Sequence, residues 1–148
     1  MKKKQYEISI QAPVEKVYRL MLNKSDYEKW TSVFNAASTF EGGWNKGDKI
    51  YFIGEEDGKK GGMVARIAEN IPNKFVSIEH YGMLEDGKEV TEGPLVEGWS
   101  GTHENYSFEE KDGGTRVTVE IDLNEKYVDY FDATWPKALE KLKEIAEG

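Results

Sequence analysis

The chain has 148 residues, of which 20 are basic and 28 are acidic, so its formal net charge is −8. This length is typical of one domain, and we treat residues 1–148 as a single domain. An acidic surface repels phosphate backbones, which argues against a nucleic-acid partner. The sequence contains no cysteine, which excludes disulfides, thiolate metal sites and a cysteine nucleophile.

Membrane and export signals are missing from the sequence. No stretch approaches the ~20 consecutive apolar residues that a membrane-spanning helix needs. The basic start, MKKKQYEISI, lacks the apolar segment and cleavage site of a signal peptide. We therefore expect no membrane insertion and a cytoplasmic location, which the absence of cysteine also favours.

The first part of the chain predicts one strand and two short helices. Polar and apolar residues alternate over Gln5–Gln11, as in a strand with one face in water. Pro13 suits the first turn of a helix. Apolar residues at helical spacing follow it: Val14, Val17, Tyr18, Met21 and Leu22. A second short helix is predicted to begin at Ser25 or Asp26, with Ser25 as its cap, and to end at Trp30.

The middle of the chain predicts strands joined by turns. The predicted strands are Lys49–Ile53, Met63–Ala68, Lys74–Gly82, Ser100–Glu109 and Thr115–Leu123. The segment Asp57–Gly62 is interpreted as a hairpin turn, and Leu84–Gly98 as a longer loop in which some pairing is left open. Because these turns are too short for crossover connections, we expect antiparallel pairing.

The end of the chain predicts one long amphipathic helix over Lys126–Glu147. Its apolar residues recur at steps of three or four: Val128, Phe131, Trp135, Leu139, Leu142 and Ile145. Pro136 predicts either a kink or a late helix start at that position. The order of elements predicts an α+β fold, with a curved antiparallel sheet of about seven strands wrapped on this helix.

This order resembles the helix-grip fold of the START and birch-pollen-allergen superfamily, also called SRPBCC. More narrowly, the chain resembles bacterial proteins similar to the C-terminal domain of the Hsp90 ATPase activator. The segments that carry the resemblance are ISIQAPVEKV, DYEKWT, FEGGWNKGD, GGMVARIAENI, GGTRVTVEIDL and WPKALEKL, which together extend over nearly the whole chain. They are mostly turn and packing signals, so their order and spacing favour the fold more than any one of them does.

The resemblance implies several functions, because the superfamily includes lipid carriers, hormone receptors, enzymes, chaperone cofactors and toxins. We predict that the protein binds a small hydrophobic or amphipathic molecule in a cavity between the sheet and the C-terminal helix. One alternative is an enzyme that acts on a pocket-bound substrate with Glu104 as acid or base. Another is a chaperone cofactor similar to the activator, although the sequence carries no N-terminal chaperone-binding domain.

A carboxylate on the inner face of the sheet is the most unusual feature of the sequence. Tyr106 and Phe108 are predicted to face the helix, and the period of two sends Glu104 the same way. The functional interpretation is a pocket acid or base. In the structural alternatives, Glu104 lies near the wet mouth or pairs with Lys or Arg, or a bulge between Thr102 and Tyr106 reverses its direction.

The two histidines differ in predicted direction. His80 follows Val76 and Ile78 at period two, so it is predicted to point inward, where a His80–Glu104 pair would be a plausible acid–base dyad. A hydrogen-bonded structural histidine is the alternative. His103 alternates with Glu104 and is predicted to point outward, which argues against a shared metal site.

Aromatic residues are the better signal for a ligand, because Trp and Tyr combine a large apolar body with a polar tip. On the helix, Tyr127, Tyr130 and Thr134 are predicted to lie beside the apolar stripe, where the helix borders a cavity mouth. The predicted ligand-binding residues are Trp44, Phe52, His80, Glu104, Tyr106, Tyr127, Tyr130 and Thr134. We assign no catalytic residue, metal ligand or cofactor, and the expected partner is the small molecule, with a chaperone as the alternative.

Overall fold

The computed structural model of the chain describes residues 2–94 and 96–148. Its strands are β1 (Lys2–Ile10), β2 (Thr39–Gly42), β3 (Lys49–Glu56), β4 (Lys59–Ile71), β5 (Phe75–Glu85), β6 (Lys88–Val90), β7 (Thr102–Lys111) and β8 (Gly114–Leu123). Its helices are α1 (Val14–Leu22), α2 (Lys24–Trp30) and α3 (Val128–Glu147), and a short 3-10 turn (Glu125–Tyr127) precedes α3.

Within the described residues, eight strands form one curved antiparallel sheet. The order across the sheet is β1-β8-β7-β5-β4-β3-β2, and β6 pairs with β5 beside this path. The helix α3 packs against β1, α1 and α2, and α1 also contacts β7 and β8. The predicted helix-grip architecture is therefore confirmed, with a sheet that holds a long C-terminal helix.

The strand β6 lies inside the segment that the sequence predicts as a loop. Met83 pairs with Val90 and Glu85 pairs with Lys88 across a two-residue turn, Asp86–Gly87. Both turn residues have positive φ, 50° and 82°, which is the backbone shape that tight hairpins require. This added hairpin brings the sheet to eight strands instead of about seven.

The hairpin between β3 and β4 is tighter than the prediction for Asp57–Gly62. Only Asp57 and Gly58 form the turn, and Lys59 already pairs with Glu56. Opposite charges directly across two strands stabilise their pairing, so the lysines of DGKKGG extend the strand. At Gly62 any side chain would collide with the Phe52 carbonyl, so glycine lets the two strands approach each other there.

Helix α2 begins at Lys24, one residue before the earlier of its two predicted starts. Asn23 is its N-cap, and the Asn23 side chain accepts a hydrogen bond from the backbone N–H of Asp26. The prediction of Ser25 as the cap is therefore wrong. Asparagine and serine are both good caps, so the sequence offers two competing caps, two residues apart.

Helix α3 runs without interruption from Val128 through Pro136 to Glu147, so the alternative of a late start at Pro136 is wrong. A proline inside a helix costs about 3 kcal/mol, because it removes the N–H that would bond to the Asp132 carbonyl. The neighbouring Trp135 is 3% exposed. Burying an aromatic side chain of ~200 Å² contributes about 5 kcal/mol, which exceeds that penalty and holds the helix together.

The outer edge of β1 is covered by polar side chains near the end of α3. Lys143 Nζ donates to the Ser9 carbonyl at 2.9 Å. The backbone N–H of Gln11 donates to Glu147 Oε2 at 2.8 Å. Because an open strand edge invites pairing with other chains, these two contacts both fix the helix and block the edge.

The core lies between the sheet and the three helices and is rich in aromatic side chains. Among its largest fully buried side chains are Trp30, Tyr106, Ile10, Met21, Ile50, Ile67, Ile78, Leu139 and Leu142. Alternate residues of β8, including Val117 and Val119, face this core as their pattern predicts.

Candidate functional site

Three side chains of β5 and β7 meet on the inner face of the sheet. The register pairs Ile78 with Glu104 and His80 with Thr102, and it continues without a bulge past Tyr106. Because alternate residues share a face, His80, Glu104 and Tyr106 all point toward the core. They are 4%, 9% and 1% exposed, respectively. The alternative in which a bulge reverses the direction of Glu104 is therefore wrong.

Glu104 joins its two neighbours into a hydrogen-bonded group, here called the Glu104 cluster and consisting of His80, Glu104 and Tyr106. His80 Nε2 lies 3.3 Å from Glu104 Oε1. The Tyr106 hydroxyl donates to Glu104 Oε2. Each carboxylate oxygen thus has one partner, an imidazole or a phenol. The alternative in which Glu104 pairs with Lys or Arg is wrong for the residues that the structure describes. The alternative of a position near the wet mouth is also wrong, because Glu104 is 9% exposed.

Two buried phenols near the carboxylate are held in the neutral form. Burial raises the pKa of Tyr106 well above its usual value, and the negative charge of Glu104 raises it further. Burial also raises the pKa of Tyr27, again with a contribution from Glu104. At neutral pH Tyr106 therefore keeps its proton, and it acts as a hydrogen-bond donor toward Glu104.

Aromatic rings form the walls around the Glu104 cluster. The Trp99 ring stacks on the His80 imidazole at 5.5 Å between centroids and an interplanar angle of 28°. Phe52 meets the same imidazole at 5.9 Å and 63°. Phe52 in turn contacts Trp44 at 5.8 Å and Tyr27 at 6.1 Å. The polar cluster therefore has apolar, flat surroundings on at least two sides.

Three buried polar atoms of the cluster, its neighbour Thr102 and its aromatic wall have no hydrogen-bond partner among the described residues. They are His80 Nδ1, Thr102 Oγ1 and Trp44 Nε1. An unsatisfied buried polar group costs about 1–3 kcal/mol, so native proteins contain few of them. A bound water or a ligand with matching polar atoms would satisfy such atoms.

The structure brings five of the predicted ligand-binding residues together and leaves three apart from them. Trp44, Phe52, His80, Glu104 and Tyr106 belong to the cluster or to its aromatic wall. Of the other three, Tyr127 lies in the 3-10 turn before α3, and Tyr130 and Thr134 lie in the first two turns of α3.

Tyr127, in the 3-10 turn before α3, and Tyr130, on α3, are 49% and 47% exposed. Lys126 lies over the Tyr127 ring, and the Tyr130 hydroxyl donates to the Phe34 carbonyl at 3.4 Å. Thr134 is buried, but its hydroxyl donates to the Tyr130 carbonyl within the helix. These contacts do not reach the Glu104 cluster, so the predicted ligand role of the three side chains stays a prediction.

Two cavities in the described part of the chain lie away from the Glu104 cluster. One of about 350 Å³ is lined by Pro136, Lys137, Glu140, Lys141 and Glu144. Another of about 200 Å³ is lined by Tyr6, Glu7, Ile8, Pro136, Leu139 and Glu140. Neither includes a residue of the Glu104 cluster. In the predicted cavity region, the Trp30 and Trp135 rings pack against Tyr106.

The Glu104 cluster has the components of an acid–base pair. An imidazole within hydrogen-bond reach of a carboxylate can pass a proton to or from a substrate if the substrate reaches the free ring nitrogen. Among residues 2–94 and 96–148, no group of three or more His, Asp or Glu side chains is placed to hold a metal ion. His103 lies 3.7 Å from Glu79 on the outer face, away from Glu104.

Sequence reasoning did not include Tyr27 and Trp99 in the site. Tyr27 lies three residues before Trp30 on α2, so helical spacing alone places both on the buried face. Trp99 follows Gly98 just before β7 and gave no periodic signal. A tryptophan beside glycine in a polar loop is the feature that could have indicated it, because large aromatic side chains in such loops usually cover an apolar surface.

No helix in the described part of the chain is both long and apolar enough to cross a membrane. No curated protein matches the chain. Several solved structures resemble it. The Aha1 dimer from Colwellia psychrerythraea is 22% identical and has a TM-score of 0.73, covering 99% of this chain and 97% of that one.

Two further structures give the same result. A protein from Cytophaga hutchinsonii is 21% identical with a TM-score of 0.72, covering 98% of this chain and 93% of its own. A protein from Chromobacterium violaceum is 15% identical with a TM-score of 0.70, covering 100% and 99%. At these identities the likeness establishes the fold alone.

A family model described as "Activator of Hsp90 ATPase homolog 1-like protein" matches residues 11–147, which is nearly the entire chain. The match agrees with the helix-grip fold and with the suspected resemblance. The chain therefore belongs to the family of activator of Hsp90 ATPase homolog 1-like proteins.

Proposed function

We propose that the protein binds a small amphipathic molecule between the sheet and α3, with the Glu104 cluster as its polar anchor. The observation that carries the proposal is a buried polar group within aromatic walls, in which His80 Nδ1 and Thr102 Oγ1 lack partners. Ligand sites are mostly apolar and contain a few convergent polar atoms, and this arrangement has both properties.

The burial of Glu104 supports a ligand role over a purely structural one. A carboxylate that is 9% exposed loses much of its hydration, and a cluster that served only packing would be at least as stable with apolar side chains. The retained carboxylate, imidazole and phenol provide an acceptor, a ring nitrogen and a donor at one place. Together they favour a ligand with an apolar body and one or two hydrogen-bonding groups.

Because aromatic rings pack against the cluster, the ligand enters by displacing side chains. Trp99 is only partly buried and belongs to no strand or helix, so it is the ring that moves at the lowest cost. The Trp30 and Tyr106 rings are 1% exposed and lie on α2 and β7, where movement would disrupt the core.

Titration with N-phenyl-1-naphthylamine, an uncharged amphipathic fluorescent dye, tests this function. We expect saturable fluorescence with the natural protein and at least about fivefold weaker binding with Glu104→Leu, since loss of a polar anchor costs about 1–3 kcal/mol. Glu110→Gln is the matched control, because Glu110 is an exposed carboxylate on the same strand. Equal binding by Glu104→Leu and the natural protein would overturn the proposal.

The family match favours a second function, that of a chaperone cofactor. An acidic protein surface with net charge −8 would dock on a basic surface of such a partner. Adding the purified protein to an Hsp90 chaperone and measuring the rate of ATP hydrolysis tests this function. We expect a salt-sensitive increase if it holds, and an unchanged rate together with no binding heat in calorimetry would remove it.

A further inference from the structure

We propose that Trp99 occupies the place of the ligand's ring, and that the ligand is a planar aromatic molecule with a hydrogen-bond donor that replaces Trp99 on His80. This inference rests on the proposed function and names the class of ligand. The Trp99 side chain is then a cap on His80 that competes with the ligand for the same place.

The stacking geometry defines the shape of the ligand. The Trp99 and His80 rings lie 5.5 Å apart at 28°, which is an offset stack between two flat surfaces. Phe52 closes an adjacent side of the imidazole edge-on at 63°. A slot with one flat face and one aromatic wall accepts a flat ring better than a branched or saturated chain.

The position of Trp99 in the chain allows it to leave. It lies between Gly98 and Gly101, whose φ angles are 79° and 92°, and a side chain added at either glycine would meet no atom within 4 Å. The backbone on the strand side is fixed, because the N–H of Gly101 donates to the His80 carbonyl at 2.7 Å. The indole can therefore swing away while β5 and β7 keep their register.

The Trp99 indole covers one face of the His80 imidazole. His80 is 4% exposed, whereas Trp99 is only partly buried. If the indole moves, the imidazole face becomes the floor of an open slot. The same movement would give a ligand access to Thr102, which pairs with His80 in the register.

The unpartnered atoms define the polar group of the ligand. Tyr106 donates to Glu104, so the carboxylate is an acceptor. His80 Nε2 lies 3.3 Å from Glu104 Oε1, and we assign the tautomer in which Nε2 carries the hydrogen and donates to this oxygen. In that tautomer Nδ1, which has no partner among the described residues, is a free acceptor. A phenolic hydroxyl or an aromatic amine donates to this nitrogen, whereas an ether or an ester does not.

If Trp99 competes with the ligand, removing its side chain changes the ligand affinity in the opposite direction to removing an ordinary wall residue. A site that is open in about a tenth of the molecules binds about tenfold more weakly than the open form alone. Removing the cap should therefore strengthen binding, whereas removing a wall residue weakens it.

Calorimetric titration with 2-naphthol, a flat ring with a hydroxyl donor, tests the inference. We expect Trp99→Ala to bind 2-naphthol several-fold more tightly than the natural protein. The matched probe 2-methoxynaphthalene, which cannot donate, should bind both proteins more weakly. Ile71→Ala is the control variant, because Ile71 is 46% exposed at the end of β4 and should leave binding unchanged.

A second measurement uses the natural protein, so it does not depend on the stability of the variant. The amide NMR spectrum is expected to contain four indole N–H signals, one for each of the four tryptophans. Saturating 2-naphthol should shift the signal that Trp99→Ala lacks more than the other three. An unmoved Trp99 signal, or equal or weaker binding by Trp99→Ala, would overturn the inference.

The outcomes also separate this inference from the proposed function. If Glu104→Leu weakens dye binding but Trp99→Ala does not strengthen naphthol binding, the ligand site stands and the cap is refuted. If Glu104→Leu binds the dye like the natural protein, the proposed function fails as well.

Discussion

His80 Nε2 lies 3.3 Å from Glu104 Oε1, and both side chains are almost completely buried on the inner face of the sheet. They come from neighbouring antiparallel strands. Because His80 pairs with Thr102 and Ile78 pairs with Glu104, His80 and Glu104 are diagonal neighbours on the same face of the sheet. This relationship places a carboxylate and an imidazole in an aromatic interior, where polar groups persist only with good partners. It is the basis of the proposed ligand site.

Breaking the Glu104 cluster should destabilise the protein, because each remaining partner stays buried. We expect Glu104→Leu to lower the free energy of unfolding by about 1–3 kcal/mol, through the unpaired Tyr106 hydroxyl. Adding Tyr106→Phe should recover part of this loss, with a coupling of about 0.5–3 kcal/mol. Urea denaturation of the two single variants and the double variant measures it, and strictly additive losses would contradict the cluster.

The buried tyrosines should resist alkaline titration. The pKa values of Tyr6, Tyr27 and Tyr106 are all raised, chiefly by burial. A tyrosine whose pKa is higher in the folded than in the unfolded state contributes fully to the free energy of unfolding below the unfolded pKa of about 10. This contribution is lost as the pH rises from the unfolded pKa through the folded pKa. Phenolate absorbance should therefore rise in two phases in the native protein and in one phase in urea. A single native phase near pH 10 for all eight tyrosines would contradict this.

The contact between Tyr6 and Asp132 should make the stability of the protein depend on pH in the acid range. The Tyr6 hydroxyl donates to Asp132 Oδ1 at 2.8 Å, and this bond, with help from Lys4, lowers the pKa of Asp132. A lowered pKa contributes stability above the unfolded value of about 3.9, and this contribution is lost as the pH falls through the folded value.

The variant Asp132→Asn should accordingly lower the melting temperature at pH 7, and the difference from the natural protein should shrink near pH 3. Thermal unfolding at both pH values measures the effect. Asp129→Asn is the control, since Asp129 is an exposed carboxylate on the same helix. A difference that stays constant with pH would show that the ionised form of Asp132 contributes nothing.

Replacing Pro136 should stabilise the protein. Pro136→Ala restores a backbone donor for the Asp132 carbonyl inside α3 and should raise the free energy of unfolding by about 1–3 kcal/mol, less a few tenths for the freer unfolded chain. Lys137→Ala, at the exposed next position, should change it by less than about 0.5 kcal/mol. A less stable Pro136→Ala variant would indicate that the helix is shaped around the proline.

The fold could be predicted from the sequence because its hydrophobic patterns are periodic. The alternation in β8 and the apolar stripe of α3 each predict one buried face, and residues of both faces belong to the same core. The additional strand β6 escaped prediction because three residues, Lys88–Val90, are too few for a pattern. The cap of α2 was misplaced because Asn23 and Ser25 are both good caps.

The site was readable only in part. The period of two correctly gave the direction of Glu104, but the contact with His80 depends on the register between β5 and β7, which no single strand contains. Trp99 lies in a loop, and its stacking on His80 follows from tertiary structure alone. Tyr127 and Tyr130 were assigned by their sequence positions beside the apolar stripe, and about half of each residue is exposed to solvent.

The most direct test of the proposed function is native mass spectrometry of the protein purified from its own cells. We predict a mass increment from a bound small molecule with the natural protein and with Glu110→Gln, and its loss with Glu104→Leu. Fragmentation of the released molecule would then identify its aromatic ring and its hydrogen-bond donor. A natural protein that appears only at its bare mass of 16.9 kDa, or an increment that persists in Glu104→Leu, would contradict the proposed site.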